Sequence, residues 1–402
     1  HQNTRTPEHQ NIFQFQELNI KQHFKNKITL SMKRNIFLNL VIILLSFPAF
    51  CQAQQQITGR VLEAKTNEPV SFATVYLNGT TVGTTTDDDG SFLLNKVTYP
   101  CQLVVSHISY KTLFVDINQA QGAPLKILIE PNAVDLQSVQ VEDKSLRGRN
   151  EAEFAQAFVG IDYFGERAKL TNPEVLFFTR EKEKTRAGYM RSKNLKATAK
   201  QALIIEQPEL GYKIHADLAY FQVDYGSFLG KNGASFFQCY YFFEPYQTDK
   251  KHKQKKWERQ RSAAYYHSSM HFMRSLYQQD LAGNGYRLCE RVEDKEKGIV
   301  TYQDFPIGKY IEILPDSTMQ VAGLKDQRLY IFYYPKNAKR EPLDITTKIR
   351  GQFEQSVIQF SSDKAIIRSN GTTPGLDIQF GGVIAEKKVG AHLPDDFVPV
   401  GL

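Results

Sequence analysis

The side chains whose types and spacing could do chemistry include two groups that could hold a metal ion. Asp87, Asp88 and Asp89 supply clustered carboxylate oxygens, the ligands that hard cations such as Ca²⁺ prefer. His267 and His271 are four residues apart, a spacing that places two imidazoles on one face of a helix as a potential metal pair.

Each group also has a plainer interpretation, which we favour. The acidic run lacks the length and the terminal Glu of an EF-hand loop, and Asp89-Gly90 is a common turn, so we expect a solvated hairpin turn. The histidine pair has no third ligand nearby in the sequence, so we expect two packed or hydrogen-bonded side chains. The sequence therefore predicts no resident metal and no cofactor.

A third group is a dense positive run at residues 250–256. Its members are Lys250, Lys251, Lys253, Lys255 and Lys256. In an exported protein the anionic partner of such a run would be a lipid headgroup or a polysaccharide. Because charge runs are usually solvated, we favour an exposed loop and keep contact with an anionic surface as the alternative.

Residues 32–53 have the order of a secretory signal peptide. Met32-Lys33-Arg34 gives a basic start, residues 36–50 are largely apolar, and Ala53 ends a small-residue exit. The apolar stretch is shorter than the ~20 residues of a spanning helix. We therefore predict export to the periplasm or to the periplasmic face of the outer membrane. A lipid anchor at Cys51 is the less favoured alternative, and residues 1–31 are expected to be an upstream tail without structure.

The charge of the chain does not point to nucleic acid. The full sequence has a net charge of +7. Residues 1–53 hold six Lys or Arg and two Glu, which leaves +3 for the remainder. This small net charge gives no indication of a basic surface for nucleic acid, and we predict no nucleic-acid partner.

Three cysteines follow the predicted leader, so at most one disulfide can form among them. Cys101 falls in a different predicted domain from Cys239 and Cys289, which makes the latter two the favoured pair. Buried free thiols remain the simpler interpretation for all three.

Residues 54–131 alternate apolar and polar side chains between turn signals, the pattern of half-buried strands. About seven short strands are expected, with Asn78-Gly79 closing one of them. Short strands at this spacing, without a helical period, predict a small β-sandwich.

Five stretches in this region, in order, resemble the carboxypeptidase regulatory-like domain. They are Ile57-Thr58-Gly59-Arg60-Val61, Glu68-Pro69, Ala73-Thr74-Val75-Tyr76-Leu77, Gly83 to Phe92, and His107-Ile108-Ser109-Tyr110-Lys111. Ser109 stands where the family favours Gly. The resemblance implies a transthyretin-like sandwich without catalytic residues, a module found on zinc carboxypeptidases and at the amino terminus of TonB-dependent receptors.

Neither of those larger proteins fits the rest of the chain. No His is followed three residues later by Glu, so the zinc ligands of a carboxypeptidase are missing, and no Gly-x-Ser-x-Gly motif of a serine hydrolase is present. Residues 132–402 are too few for a receptor plug together with a 22-stranded barrel, at about ten residues per strand plus loops. We predict no catalytic residue. Residues 132–148 are expected to be a linker strand.

Residues 149–402 predict a β-rich α+β domain with a helical insertion. A short helix is expected over 149–160, strands over 173–246, a helix over 257–281 broken near Ser268, and strands again over 311–384. The favoured function is a non-enzymatic envelope protein whose sandwich is a structural, docking or glycan-contact module. Its partner would be an envelope protein or a polysaccharide. The alternative is a hydrolase with an unrecognised site in residues 150–402, which a pocket in this second domain with converging polar groups and shifted pKa values would favour.

Overall fold

The computed structural model describes residues 55–120, 122–132, 144–184, 188–225, 234–334, 353–375 and 377–399. The predicted tail and signal peptide lie outside these residues, as do the central residues of the predicted linker strand. The described end of that linker, residues 144–148, is helical.

The amino-terminal region is a seven-stranded β-sandwich, as predicted. Its strands are β1 (Ile57–Glu63), β2 (Thr74–Leu77), β3 (Gly83–Thr85), β4 (Ser91–Leu94), β5 (Cys101–Ser106), β6 (Leu113–Ile117) and β7 (Leu125–Ile129). One sheet has the order β4-β1-β7 and the other the order β3-β2-β5-β6. The inward residues, among them Val61, Val75 and Leu103, are fully buried between the sheets because apolar side chains alternate along each strand.

The acidic run forms a turn, but that turn is not a hairpin. The Gly90 N–H donates to the Asp87 carbonyl at 2.9 Å, and the Ser91 N–H donates to the Asp89 carboxylate at 3.1 Å. The strands that it joins, β3 and β4, belong to different sheets. The Asx turn therefore carries the chain from one layer of the sandwich to the other, and the hairpin expectation is wrong.

The second domain is mainly β, with four α-helices among its described residues. Its strands are β8 (Lys169–Leu170), β9 (Leu176–Lys184), β10 (Met190–Ala199), β11 (Leu203–Gln207), β12 (Tyr212–Asp224), β13 (Ala234–Pro245), β14 (Tyr286–Asp294), β15 (Ile299–Asp304), β16 (Ile311–Ile313), β17 (Met319–Ala322), β18 (Arg328–Tyr333), β19 (Glu354–Phe360), β20 (Lys364–Ile367) and β21 (Ile378–Gly382). Its α-helices are α1 (Arg147–Phe154), α2 (Lys251–Tyr265), α3 (Ser269–Tyr277) and α4 (Val383–Glu386).

These strands form three sheets. A six-stranded sheet has the order β8-β11-β12-β10-β9, with β13 paired along the other side of β12. A five-stranded sheet has the order β15-β14-β18-β19-β21, and a three-stranded sheet has the order β16-β17-β20. The first sheet packs on α1, whose Phe154 lies in a core with Phe158 and Phe221. The other two share a second core around Phe272 and Ile331. The mainly β class and the helical insertion are thus confirmed.

The expected helix break is present, and its cause is a cap. The Ser268 hydroxyl accepts a hydrogen bond from the His271 N–H at 3.1 Å and begins α3. His267, with φ of +57°, turns the chain between the two helices. The helix itself begins six residues earlier than expected, at Lys251.

Replacing Gly211 by alanine is expected to destabilise the protein by about 2 kcal/mol more than replacing Gly298 by alanine. Both glycines have positive φ, +71° and +62°. A Cβ on Gly211 would overlap the Trp257 ring, whereas a Cβ on Gly298 would have no neighbour within 4 Å. Urea unfolding of the two variants measures the difference. Equal losses would mean that α2 shifts freely over β12.

Candidate functional site

The sandwich is bound to the second domain through a buried carboxylate. Asp217, on β12, accepts hydrogen bonds from the Tyr76 hydroxyl at 2.5 Å, from Ser106 at 3.3 Å and from Thr112 at 3.4 Å. Asp217 is 8% exposed and Tyr76 1% exposed. Burial raises the pKa of Asp217, an effect that the three hydroxyl donors oppose. The carboxylate therefore joins two strands of the sandwich to the six-stranded sheet.

The β2–β3 turn of the sandwich also pairs with the edge of β13. The Gly79 N–H donates to the Tyr241 carbonyl at 2.8 Å, and the Phe243 N–H donates to the Thr80 carbonyl at 3.0 Å. The Asn78 side-chain oxygen accepts the Tyr241 N–H at 3.0 Å. These bonds make the turn a short extra strand on the second domain.

Residues 393–399, the carboxyl-terminal segment, connect both domains with α3. The Asp395 N–H donates to the Gly79 carbonyl at 2.6 Å. The Arg274 guanidinium donates to the carbonyls of Asp395, Phe397 and Asn370 at 2.8–2.9 Å. Asp396 accepts the Thr81 hydroxyl at 2.5 Å. The described residues from Gln55 onward therefore pack as one unit.

A cleft of about 1140 Å³ opens between the sandwich and the second domain. The sandwich side includes Leu77–Val82, Thr98–Gln102, Asp116 and Asn118. The other side includes residues 237–241 of β13, residues 368–375, and the segment from Ala391 to Asp396. Hydroxyl and amide side chains are numerous, and the charged residues, among them Lys96, Arg368, Asp116 and Asp316, are of both signs.

Several titratable side chains of the cleft have shifted pKa values, and three of them lie in residues 387–395. Burial raises the pKa of Asp395 to about 7, although Arg274 opposes the shift. Burial lowers the pKa of His392 to about 4, with a further contribution from Lys388. Burial also lowers the pKa of Lys387 to about 8, and its ammonium donates to the Tyr266 carbonyl at 2.6 Å. Among the described residues, no hydrogen bond joins the side chains of Asp395 and His392.

Replacing Asp395 by asparagine is expected to flatten the pH dependence of stability. Because the folded-state pKa of Asp395 lies near 7 and above its ordinary value, the wild-type protein loses this residue's contribution as the pH rises through that range. Between pH 5 and pH 8 the variant should gain about 2 °C in melting temperature relative to the wild type. Asp88→Asn, in an exposed turn, is the control. Parallel melting curves of wild type and variant at both pH values would refute the assignment.

His267 and His271 do not lie on one helical face, because His267 precedes α3. Its Nδ1 contacts the Glu354 carboxylate, and its ring stacks on Tyr333 at 4.6 Å. The Nδ1 of His271 lies 2.9 Å from the Tyr286 hydroxyl. The prediction that the two imidazoles share one face of a helix is therefore wrong. Both imidazoles are buried among aromatic rings. Within the described part of the chain, no three His, Cys, Asp or Glu side chains are placed to hold a metal ion.

The lysine run forms the first turns of α2, so the predicted loop is also wrong. Lys256 pairs with Glu209 at 2.9 Å, and the Lys253 ammonium lies 4.9 Å from the centre of the Trp257 ring. Lys250, Lys251 and Lys255 are exposed. Burial of the Trp257 indole, which donates to the Pro208 carbonyl at 2.8 Å, fixes this part of the helix on the domain.

The favoured Cys239–Cys289 disulfide is not formed. Cys239 lies on β13 and Cys289 on β14, in different sheets, and both are free thiols, as is Cys101. Burial raises the pKa of Cys101 to about 11 and that of Cys289 to about 12, so these thiols are poor nucleophiles. The simpler interpretation, three free thiols, agrees with the structure.

Comparison with protein families identifies the sandwich. The model of the CarboxypepD_reg-like domain matches residues 57–141, which confirms the resemblance drawn from the sequence. Domains of this kind are regulatory and non-catalytic. The match covers the sandwich and does not extend into the second domain. Among the described residues, no helix has the length and apolar content needed to cross a bilayer.

Whole-chain comparisons add little. No curated protein matches the chain. One similar solved structure is a protein of unknown function from Bacteroides fragilis NCTC 9343, provisionally described as membrane-associated, with 10% identity over 49% of this chain and 84% of that one and a TM-score of 0.17. Another is a 9R-lipoxygenase from Cyanothece PCC8801, with 12% identity over 56% of this chain and 48% of that one and a TM-score of 0.17. Such low scores carry no argument about fold or function.

Proposed function

We propose that this chain is a non-enzymatic, exported protein of the cell envelope, in which the regulatory-like sandwich and the second domain form a cleft that receives a partner. The observation that carries the proposal is the shared cleft of about 1140 Å³, with one wall from each domain. The buried Asp217 network and the strand pairing at Gly79 and Thr80 support a fixed geometry for both walls. A preformed cleft binds with little loss of conformational entropy. The leader-like sequence at residues 32–53 supports export.

Filling the cleft should abolish partner binding in the envelope. Thr98 is exposed and lines the cleft, whereas Thr58 is exposed on β1 and does not. We expect the wild-type protein and Thr58→Trp to co-purify the same envelope component from native membranes, and Thr98→Trp to lose it. Equal recovery with both variants would place the partner elsewhere. Recovery of the wild-type protein only from the cytosol would contradict export.

A hydrolase remains the second candidate, because Asp395 favours it. A carboxyl group with a pKa of about 7 beside a cleft could act as a general acid. The same Asp395 is also bound through its backbone to the Gly79 carbonyl, so a structural role accounts for its burial. Turnover of a panel of peptide, ester and glycoside substrates that Asp395→Asn abolishes would establish the hydrolase and overturn the proposal.

The exposed lysines of α2 are proposed to contact an anionic surface. Replacing Lys250, Lys251 and Lys255 by glutamine should weaken binding to vesicles containing anionic lipid by about tenfold at low salt, and added salt should remove the difference. The control is the same change at Lys295, Lys297 and Lys309, which are also exposed. Equal weakening by both triple variants would show that only net charge matters.

A further inference from the structure

We propose that the partner enters the cleft as an extended polypeptide segment and adds a strand to the free edge of β13. This inference rests on the proposed function and specifies how the partner is held. It begins from the hydrogen-bonding pattern of β13, whose inner edge pairs with β12 from Tyr212 to Asp224. The outer edge is the one on which the sandwich turn is seated.

The pattern fixes which backbone groups face outward. The sandwich turn binds the N–H and carbonyl of Tyr241 and the N–H of Phe243. The backbone N–H and carbonyl groups of odd-numbered residues of β13 therefore point away from β12. By the alternation of a strand, the N–H and carbonyl groups of Phe237 and Cys239 also face outward. Within the described residues, neither N–H has a backbone partner on that side. Both residues line the cleft.

The open edge of β13 continues directly from the segment that pairs with the sandwich turn. Thr80 forms a parallel bridge with Phe242, so the sandwich turn occupies the edge at residues 241–243. Among the described residues, nothing pairs with the edge at residues 237–240. An incoming strand would therefore continue the row of bonds that the sandwich turn begins. At about 3.4 Å per residue, four added residues would extend about 14 Å along β13.

The sequence of β13 lacks the usual protection of an exposed edge. Edge strands are normally blunted by charged side chains or by proline. From Ala234 to Phe243 the strand has neither, and Pro245 lies beyond the open part. The residues of this edge line the cleft, to which both the sandwich and the second domain contribute. Because the cleft is lined by both acidic and basic side chains, it does not favour a bound segment of either net charge. We therefore expect an uncharged segment rich in β-branched residues.

The test combines a selected peptide with residue-resolved hydrogen exchange. Peptides of eight residues, capped at both ends, are selected from a random displayed library on the immobilised full chain. In the free protein, the amides of Phe237 and Cys239 should exchange much faster than those of Gln238 and Tyr240, which bond to β12. Bound peptide should slow the first two and leave the others unchanged.

A matched pair of variants isolates one backbone donor. Phe237→Pro removes the outward N–H, whereas Phe237→Ala makes a comparable loss of side chain and keeps it. Proline is tolerated in an edge strand where the N–H points away from the sheet. The peptide should bind Phe237→Pro about fivefold more weakly than Phe237→Ala, the loss of one hydrogen bond.

Four results would overturn strand addition. They are equal slow exchange of all four amides in the free protein, binding that leaves Phe237 and Cys239 unprotected, equal affinity of the two variants, and no selected peptide. If the amides of Phe237 and Cys239 are protected from exchange only when the chain dimerises, the edge binds a second copy of this chain. That result would overturn the proposal that a partner segment binds there. If Thr98→Trp still blocks envelope capture, the docking function survives without strand addition. If peptides bind the edge but the Thr98→Trp variant recovers the envelope component as well as the wild-type protein does, the proposed function fails instead.

Discussion

Arg274→Ala is expected to destabilise the protein by about 4 kcal/mol, the largest effect that we predict. The guanidinium donates to three backbone carbonyls, two of them in the carboxyl-terminal segment and one at Asn370. Hydrogen bonds from a charged donor contribute about 1.5–3 kcal/mol each, and their loss leaves three part-buried carbonyls without this donor. Urea unfolding at pH 7 measures the change.

Two variants separate this geometry from charge alone. Arg274→Lys keeps the charge but cannot reach three acceptors in a fixed plane, so it should recover less than half of the loss. Arg287→Ala removes an arginine whose partner, Asp304, is 69% exposed, and should cost less than about 1 kcal/mol. A fully stable Arg274→Lys would show that the three-carbonyl geometry is unimportant.

The second large effect is expected at the buried carboxylate. Asp217→Ala should destabilise the protein by about 3 kcal/mol, because the Tyr76 hydroxyl loses its acceptor inside the interface while Ser106 and Thr112 lose theirs at its margin. It should also separate the unfolding of the sandwich from that of the second domain. Calorimetry should then show two transitions where the wild-type protein shows one.

A double-mutant cycle with Tyr76→Phe tests whether the pair itself carries this effect. The two losses should not add, and the coupling should be about 1–3 kcal/mol. Asp116→Ala is the control, since Asp116 accepts only an exposed bond from Gln102 at 2.9 Å. Additive losses, or a single transition in Asp217→Ala, would mean that the apolar and strand contacts alone hold the two domains together.

The sandwich could be predicted because its signals are local. Alternation of apolar residues sets the inward face of each strand, and Asn78-Gly79 and Asp89-Gly90 mark turns that depend on their own residue types. Family resemblance then placed the strands in two sheets. The break at Ser268 was also local, because a serine cap can be recognised within one helical turn.

The site could not be predicted, because its residues are joined across the chain. Asp217 meets Tyr76 over 141 residues of sequence, and nothing in either strand marks the other as its partner. Arg274 binds backbone carbonyls, which every residue type offers. Only Asp217, a carboxylate between apolar neighbours in a strand, gave a local sign of an unusual position.

Two errors of the sequence prediction share one cause. The β14–β15 hairpin was not expected, because its outer half is exposed and charged and so lacks apolar alternation. The lysine run was expected to be a loop, although Trp257 anchors its helix to Pro208 and Gly211, in the turn before β12, which are distant in sequence. In both cases the segment is exposed and charged, so its sequence lacks the apolar period that marks a strand or a helix.

In-host photo-cross-linking tests most directly whether the cleft between the two domains receives a partner. A photoreactive residue is placed at Asn118, which lines the cleft, or at Thr58, which does not. The account predicts a discrete cross-linked envelope component from position 118 and none from position 58. Equal cross-linking from both positions, or none from the cleft, would contradict it.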